Sequence, residues 1–183
     1  MKKIILGVFL SAFLFACNNE KAETTGTTDA ATTTETKTGD ELLAISEGDG
    51  VKSSMLAFSK GDVDGMTANY DDNVRQLWSG GDSLIGKKAV QDYYNGRLKL
   101  IDSITYSENV LLPVKVNNQQ SQYQALGKWV LHWTLAHVKY KNGKKLNFWI
   151  HTDYHYNDAG KIDIVIQYID RNPIVEATKD LMK

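Results

Sequence analysis

The chain has 183 residues, 21 Lys and Arg against 22 Asp and Glu, a net charge of −1, and a single cysteine. Balanced charge without a basic stripe argues against nucleic acid as a partner. One cysteine excludes an internal disulfide, so the folded part must be held by its core.

At the N-terminus, Lys2 and Lys3 precede an apolar run from Ile4 to Ala16. The run has the length of a signal-peptide core and falls short of the roughly 20 residues a spanning helix needs. It ends in Leu14-Phe15-Ala16-Cys17, which resembles the lipobox of bacterial lipoproteins. That resemblance implies removal of residues 1–16, a diacylglycerol on the Cys17 thiol and, because Asn18 rather than an aspartate follows, sorting to the outer membrane of the bacterial envelope. Each buried methylene of such an anchor contributes about 0.8 kcal/mol to membrane attachment. Residues 17–40 are rich in Thr, Ala, Glu, Lys and Gly and lack aromatics. Nothing there offsets the entropy of ordering, so the segment reads as a flexible tether. The folded domain is expected over 41–183, a length that suits one domain.

Within it, Val51, Met55 and Phe58 recur at helical spacing up to Gly61. Asp62 can cap a short second helix carrying Val63, Met66 and Tyr70. Val74 to Trp78 reads as a short strand before Gly80-Gly81. A third helix is expected over 87–101, with Val90, Tyr94, Arg97, Leu98 and Ile101 on one face. Strands follow over 106–116, where Pro113 marks an edge or bulge, then over 124–140, 145–156 and 161–170. Asn142-Gly143 is the strongest hairpin signal, read as a two-residue type I′ turn. Helices first and antiparallel strands after make an α+β domain, cone-shaped, with about three N-terminal helices on a curved, mainly antiparallel sheet.

This order, with Ala57-Phe58-Ser59-Lys60-Gly61-Asp62-Val63-Asp64, then Leu84-Ile85-Gly86-Lys87-Lys88-Ala89-Val90, then Asp158-Ala159-Gly160-Lys161-Ile162 and Tyr168 with Asp170, resembles the nuclear transport factor 2-like superfamily, in particular its SnoaL-like branch. The resemblance covers about residues 45 to 172. It implies a conical pocket between sheet and helices, and no single activity, since the superfamily holds isomerases, dehydratases, hydrolases and non-catalytic binders.

With Lys141 opposite Lys144, Trp133 faces Thr152 and Leu135 faces Ile150. One sheet face then carries Trp129, Leu131, Trp133, Leu135 and His137 beside Phe148, Ile150, Thr152, Tyr154 and Tyr156. The next loop adds Val165, Gln167 and Ile169. An aromatic pocket follows, its polar-capable lining being Tyr70, Trp78, Tyr94, Trp129, Trp133, His137, Tyr154 and Gln167, suited to an apolar or aromatic small molecule. Related isomerases and dehydratases use an Asp, or an Asp–His or Tyr–Asp pair, inside the cone. Here Thr152 rather than Asp153 faces inward, which leaves the catalytic residues unassigned. Asp71, Asp72 and Asp163 could reach the mouth, and His137 could act as a base at the rim. A slip of one residue would turn His151, Asp153 and His155 inward.

The opposite face collects His132, Trp149, His151, Asp153 and His155, with Val130, Ile162, Ile164, Ile166 and Tyr168. His132, His151 and Asp153 resemble a two-histidine, one-carboxylate metal set. The bland reading, a His132–Asp153 cross-strand pair, is preferred, so no metal and no cofactor are expected. His151 and His155 stand roughly 13 Å apart along the strand and cannot share an ion. The apolar surface there is too large to leave wet, which predicts a homodimer through this face, sensitive to pH through its histidines. Three functions remain open: a membrane-anchored small-molecule binder, a cofactor-independent isomerase, dehydratase or hydrolase, and an envelope protein-interaction module. An inward Asp153 favours the enzyme and an outward one the binder.

Overall fold

The computed structural model describes residues 39–119, 121 and 124–182. The signal peptide, the Cys17 lipidation site and all but the last two tether residues lie outside them. Strand β1 (Glu41–Leu42) and a 3-10 turn (Ile45–Gly48) lead into α1 (Asp49–Ser59), which buries Val51, Ser54 and Phe58 along one side. Asp62 caps α2 (Val63–Met66), its Oδ1 accepting from Gly65 N at 2.7 Å, which satisfies a first-turn donor. Then come β2 (Tyr70–Trp78), β3 (Ser83–Ile85) and α3 (Lys87–Leu98). The meander is β4 (Ile101–Val116), β5 (Gly127–Tyr140), β6 (Lys145–Tyr156) and β7 (Ile162–Tyr168), followed by α4 (Asn172–Thr178).

Seven strands form one sheet in the order β1-β4-β5-β6-β7-β2-β3. All neighbours are antiparallel except β2 and β7, which run parallel. The fold class is α+β, as the element order implied. Helix α4 was not foreseen, although Pro173 in its first turn and Ile174, Ala177 and Leu181 at helical spacing signal it.

The turn at Asn142-Gly143 departs from expectation. Gly143 N donates to Tyr140 O and Tyr140 N to Lys144 O, both at 2.8 Å, and Lys139 pairs with Lys145. Gly143 has φ 85°, and Glu108 is the only non-glycine with positive φ among the described residues. A type I′ turn needs two left-handed residues; this loop has one, and so is a three-residue turn closed by a glycine bulge. Asn142 stays right-handed because its side chain is held elsewhere: Nδ2 donates to Ala177 O at 2.7 Å and to Asp180 Oδ1 at 2.8 Å.

The extra residue shifts the β5–β6 pairing by one. Trp133 opposes His151, His132 opposes Thr152, and Leu131 opposes Asp153. Strand β6 keeps the expected phase, with Thr152 and Tyr154 buried, and β5 is reversed, burying Val130, His132, Thr134, Ala136, Val138 and Tyr140. A second bulge, between Ser107 and Val110 of β4, holds Glu108 at φ 52°. A third, at His155/Tyr156, turns Ile162 into the core rather than onto the outer face.

Two apolar clusters fill the space between helices and sheet, one around Val51, Tyr70, Val90 and Val165, the other around Phe58, Met66, Val138 and Ile174. A third, smaller cluster of Val116, Trp129 and Ile164 lies on the opposite side of the sheet. Trp129 Nε1 donates there to Ala125 O at 2.8 Å. Among the described residues no helix is long and apolar enough to cross a membrane.

Candidate ligand-binding site

A cavity of about 480 Å³ opens between the two inner clusters. It exists because the inward positions of the central strands are small: Thr134 and Thr152 face it, with Ala136 buried alongside. The indoles that would have filled it point the other way. Its size is that of a small-molecule site.

Tyrosines dominate the wall, with Tyr70, Tyr93, Tyr94, Tyr106, Tyr140 and Tyr154 contributed by β2, α3, β4, β5 and β6. Burial, then the proximity of neighbouring phenols, raises the hydroxyls of Tyr70, Tyr94 and Tyr154 far above their ordinary value, and burial does the same for Tyr106. They remain neutral donors at any physiological pH. Gln167 crosses the floor, its Oε1 accepting from Trp78 Nε1 at 3.0 Å and its Nε2 reaching Thr152 Oγ1 at 3.4 Å. One polar chain thus spans β2, β7 and β6.

His132 is the histidine of the cavity wall, 2% exposed. Asn109 Oδ1 stands 3.2 Å from its Nε2 and 2.9 Å from Thr134 Oγ1. The β4 bulge is what brings Asn109 to them; bulges commonly re-aim a side chain beside a site. Burial, with a smaller contribution from His151, holds the imidazole down at about 4. It is neutral near pH 7. Among the described residues, no Asp or Glu lines the cavity.

Of the residues the sequence assigned to the pocket, Tyr70, Tyr94, Tyr154 and Gln167 line it. Trp78 is buried against the Tyr93 ring, 4.9 Å between centroids, and reaches the cavity through Gln167. Trp129, Trp133 and His137 are corrections: the shifted hairpin places them on the outer face. His137 bridges Ser107 Oγ at 2.8 Å and Asn147 Oδ1 at 2.9 Å there. His132 is the reverse correction, inside rather than in the outer cluster. None of Asp71, Asp72 and Asp163 reaches the cavity.

On the outer face, His151 stacks between Trp133 and Tyr168, with centroids at 4.4 Å and 5.3 Å. Its Nε2 is 2.8 Å from Asp153 Oδ1, close but not aligned as a hydrogen bond. Burial raises the Asp153 carboxyl, and His151 partly offsets the rise. Asp153 therefore faces outward, opposite Leu131 and Ile166 rather than His132. With His132 on the other side of the sheet, the proposed His132–His151–Asp153 metal trio is not assembled. His155 is buried beneath Trp129, its Nδ1 2.5 Å from Asp163 Oδ1 and its Nε2 2.8 Å from Leu126 O. Trp149 is 56% exposed, and Tyr168, Val110 and Leu112 extend the apolar surface.

No family model matches the chain, and no curated protein matches it. Solved structures do. A proposed polyketide cyclase from Pseudomonas putida superposes with a TM-score of 0.57 at 19% identity, covering 71% of this chain and 96% of its own. An NTF2-like protein from Burkholderia pseudomallei gives 0.54 at 14% identity over 73% and 97%. A proposed isomerase from Bacillus subtilis gives 0.54 at 16% identity over 73% and 95%. The fold of this chain is that of the nuclear transport factor 2-like superfamily.

Proposed function

We propose that the protein is an envelope-anchored binding domain that takes an apolar or aromatic small molecule into its tyrosine-lined cavity. One observation carries the reading: burial moves the phenols of Tyr70, Tyr94, Tyr106 and Tyr154 up and His132 down to about 4, and no Asp or Glu is among the described residues of the wall. A general acid or base works best with a pKa near the operating pH. Neutral donors on an apolar wall suit recognition instead. The test is fluorescence titration with the neutral probe N-phenyl-1-naphthylamine. A saturable one-to-one signal, lost in the cavity-filling Thr152→Phe variant, is expected; an unchanged signal in that variant places the probe elsewhere and ends the reading.

A second reading is supported by the neighbours named as a polyketide cyclase and an isomerase. In that case His132, held by Asn109, is the candidate proton acceptor, acting on a substrate acidic enough for a weak base. Turnover that rises as His132 loses its proton near pH 4 and vanishes in His132→Gln would establish it.

Two further parts of the proposal concern assembly. Trp149, Tyr168, Val110 and Leu112 expose apolar surface on one sheet face, the kind of patch that marks an interaction site, so this face is proposed to pair two copies. Multi-angle light scattering at micromolar concentration should give twice the chain mass, and a monomer counts against it. The Cys17 thiol carries the lipid, and the Cys17→Ser variant should leave the membrane fraction and lose radiolabelled palmitate; retention of the label removes the anchor.

A further inference from the structure

The cavity wall contains two guanidinium groups in different states. Arg171 is consumed by Asp82, with Nη1 and Nη2 each 2.6 Å from a carboxylate oxygen. Arg97, projecting from the last turn of α3, lines the same cavity and enters no ion pair with a described carboxylate. Its charged group acts on the hydroxyls of Tyr94 and Tyr140, which it pulls downward against the larger effect of burial.

Tyr140 supplies an independent observation. Its side chain is 1% exposed, it lines the cavity, and its hydroxyl is buried without a well-formed hydrogen bond. Buried hydroxyls of this kind are rare in native proteins and call for a partner. A guanidinium with no carboxylate partner among the described residues and a buried phenol whose interaction is with that guanidinium thus share one corner of a cavity with no Asp or Glu in its described lining. Phe58, Ile104 and Phe148 supply apolar surface to the same wall.

Resting on the cavity reading above, we infer that Arg97 and Tyr140 form an anion-receiving corner and that the ligand is an aromatic or alicyclic carboxylate. The guanidinium and the phenol both donate to the carboxylate oxygens, and the ring system fills the apolar remainder. A neutral ligand of the same shape would leave the half-buried Arg97 charge without an anionic partner, so the acid should be preferred.

The experiment compares 2-naphthoate with its near-isosteric neutral amide, 2-naphthamide, on the purified full-length chain by isothermal titration calorimetry at pH 7.5. A charge-assisted hydrogen bond predicts that naphthoate binds about ten- to a hundredfold more tightly than naphthamide. Arg97→Met should erase that preference, weakening naphthoate far more than naphthamide. Tyr140→Phe should weaken naphthoate by roughly three- to tenfold, and it provides the test should Arg97→Met fail to fold. Equal affinity of the wild-type chain for the two probes, or a preference that survives both substitutions, overturns the anion corner and leaves the cavity reading standing. Binding of neither probe removes the cavity reading itself.

Discussion

Replacing Gln76 by Met should make this protein more stable. Gln76 lies in β2, 0% exposed, its backbone paired with Leu84 on one side and Val165 on the other. Val74 and Trp78, two positions away along the strand, are buried as well. Both its amide nitrogen and its amide oxygen are buried without a hydrogen-bond partner among the described residues. Withdrawing such a group from water uncompensated costs about 1–3 kcal/mol. Met has nearly the same length and flexibility without the polar atoms, so the substitution removes the penalty and keeps the volume. A gain of about 1–2 kcal/mol is expected. For a domain of this size that is a rise in Tm of roughly 3–8 °C, read by differential scanning calorimetry at pH 7.5. A melting temperature equal to or below that of the wild type would show that the amide is satisfied in solution, and the desolvation argument would fail.

Two other outcomes follow from the same geometry. Gly143→Ala places a Cβ on a residue at φ 85° and should cost about 1–2 kcal/mol in urea unfolding; an unchanged midpoint would mean that the turn adopts another form in solution. His132 has its folded pKa held down near 4 against an ordinary 6.5. The unfolded chain therefore binds the proton first, so the stability His132 contributes is complete above about pH 6.5 and is lost as pH falls through about 4, by up to roughly 3 kcal/mol. Asp153, whose carboxyl is raised by burial, acts in the opposite sense, so the measurement is a difference: wild type minus His132→Gln, by urea midpoint at pH 7.5 and pH 4.5. Parallel pH profiles for the two proteins would contradict the buried neutral imidazole.

The element order was legible because each signal is local. Asp62 announces a cap, Gly61 and Gly86 punctuate helices, and the alternation in β6 places Phe148, Ile150, Thr152 and Tyr154 on one face whatever their neighbours do. The site was half legible for the same reason. Tyr70, Tyr94, Tyr154 and Gln167 reach the cavity through elements whose phase is set by their own pattern. Strand β5 is different, since both its faces are apolar: Trp129, Leu131, Trp133 and Leu135 on one, Val130, Ala136, Val138 and Tyr140 on the other. With such a strand the hydrophobic pattern is silent about register, and the turn decides. Asn-Gly favours type I′ by propensity, but the bonds from Asn142 to Ala177 of α4 and to Asp180 just beyond it override it, and α4 itself had gone unread. Arg97 was placed correctly on its helix face, but its unpaired state depends on where every carboxylate of the fold ends up, which no local pattern encodes.

That single residue of slip has a consequence beyond bookkeeping. In the expected phase, Trp129, Trp133 and Leu135 would have met Phe148 and Ile150 beneath the helices and filled the cone. In the observed phase, Thr134, Ala136 and Thr152 leave it hollow, and the displaced aromatic mass stands on the far side, where Trp133 stacks on His151 and Trp149 stays exposed. A cavity and an aromatic outer face are therefore two results of one packing choice. The reversal also disposes of the histidines: the neutral His132 goes inside, and His151 and His155 remain outside beside Asp153 and Asp163. Ionisable partners are thus kept together on the face proposed to join two copies, and the interior keeps neutral phenols, the neutral imidazole of His132 and the Arg97 guanidinium. The proposed binding of an acidic guest rests on Arg97 in that interior, and the alternative, catalytic reading rests on His132.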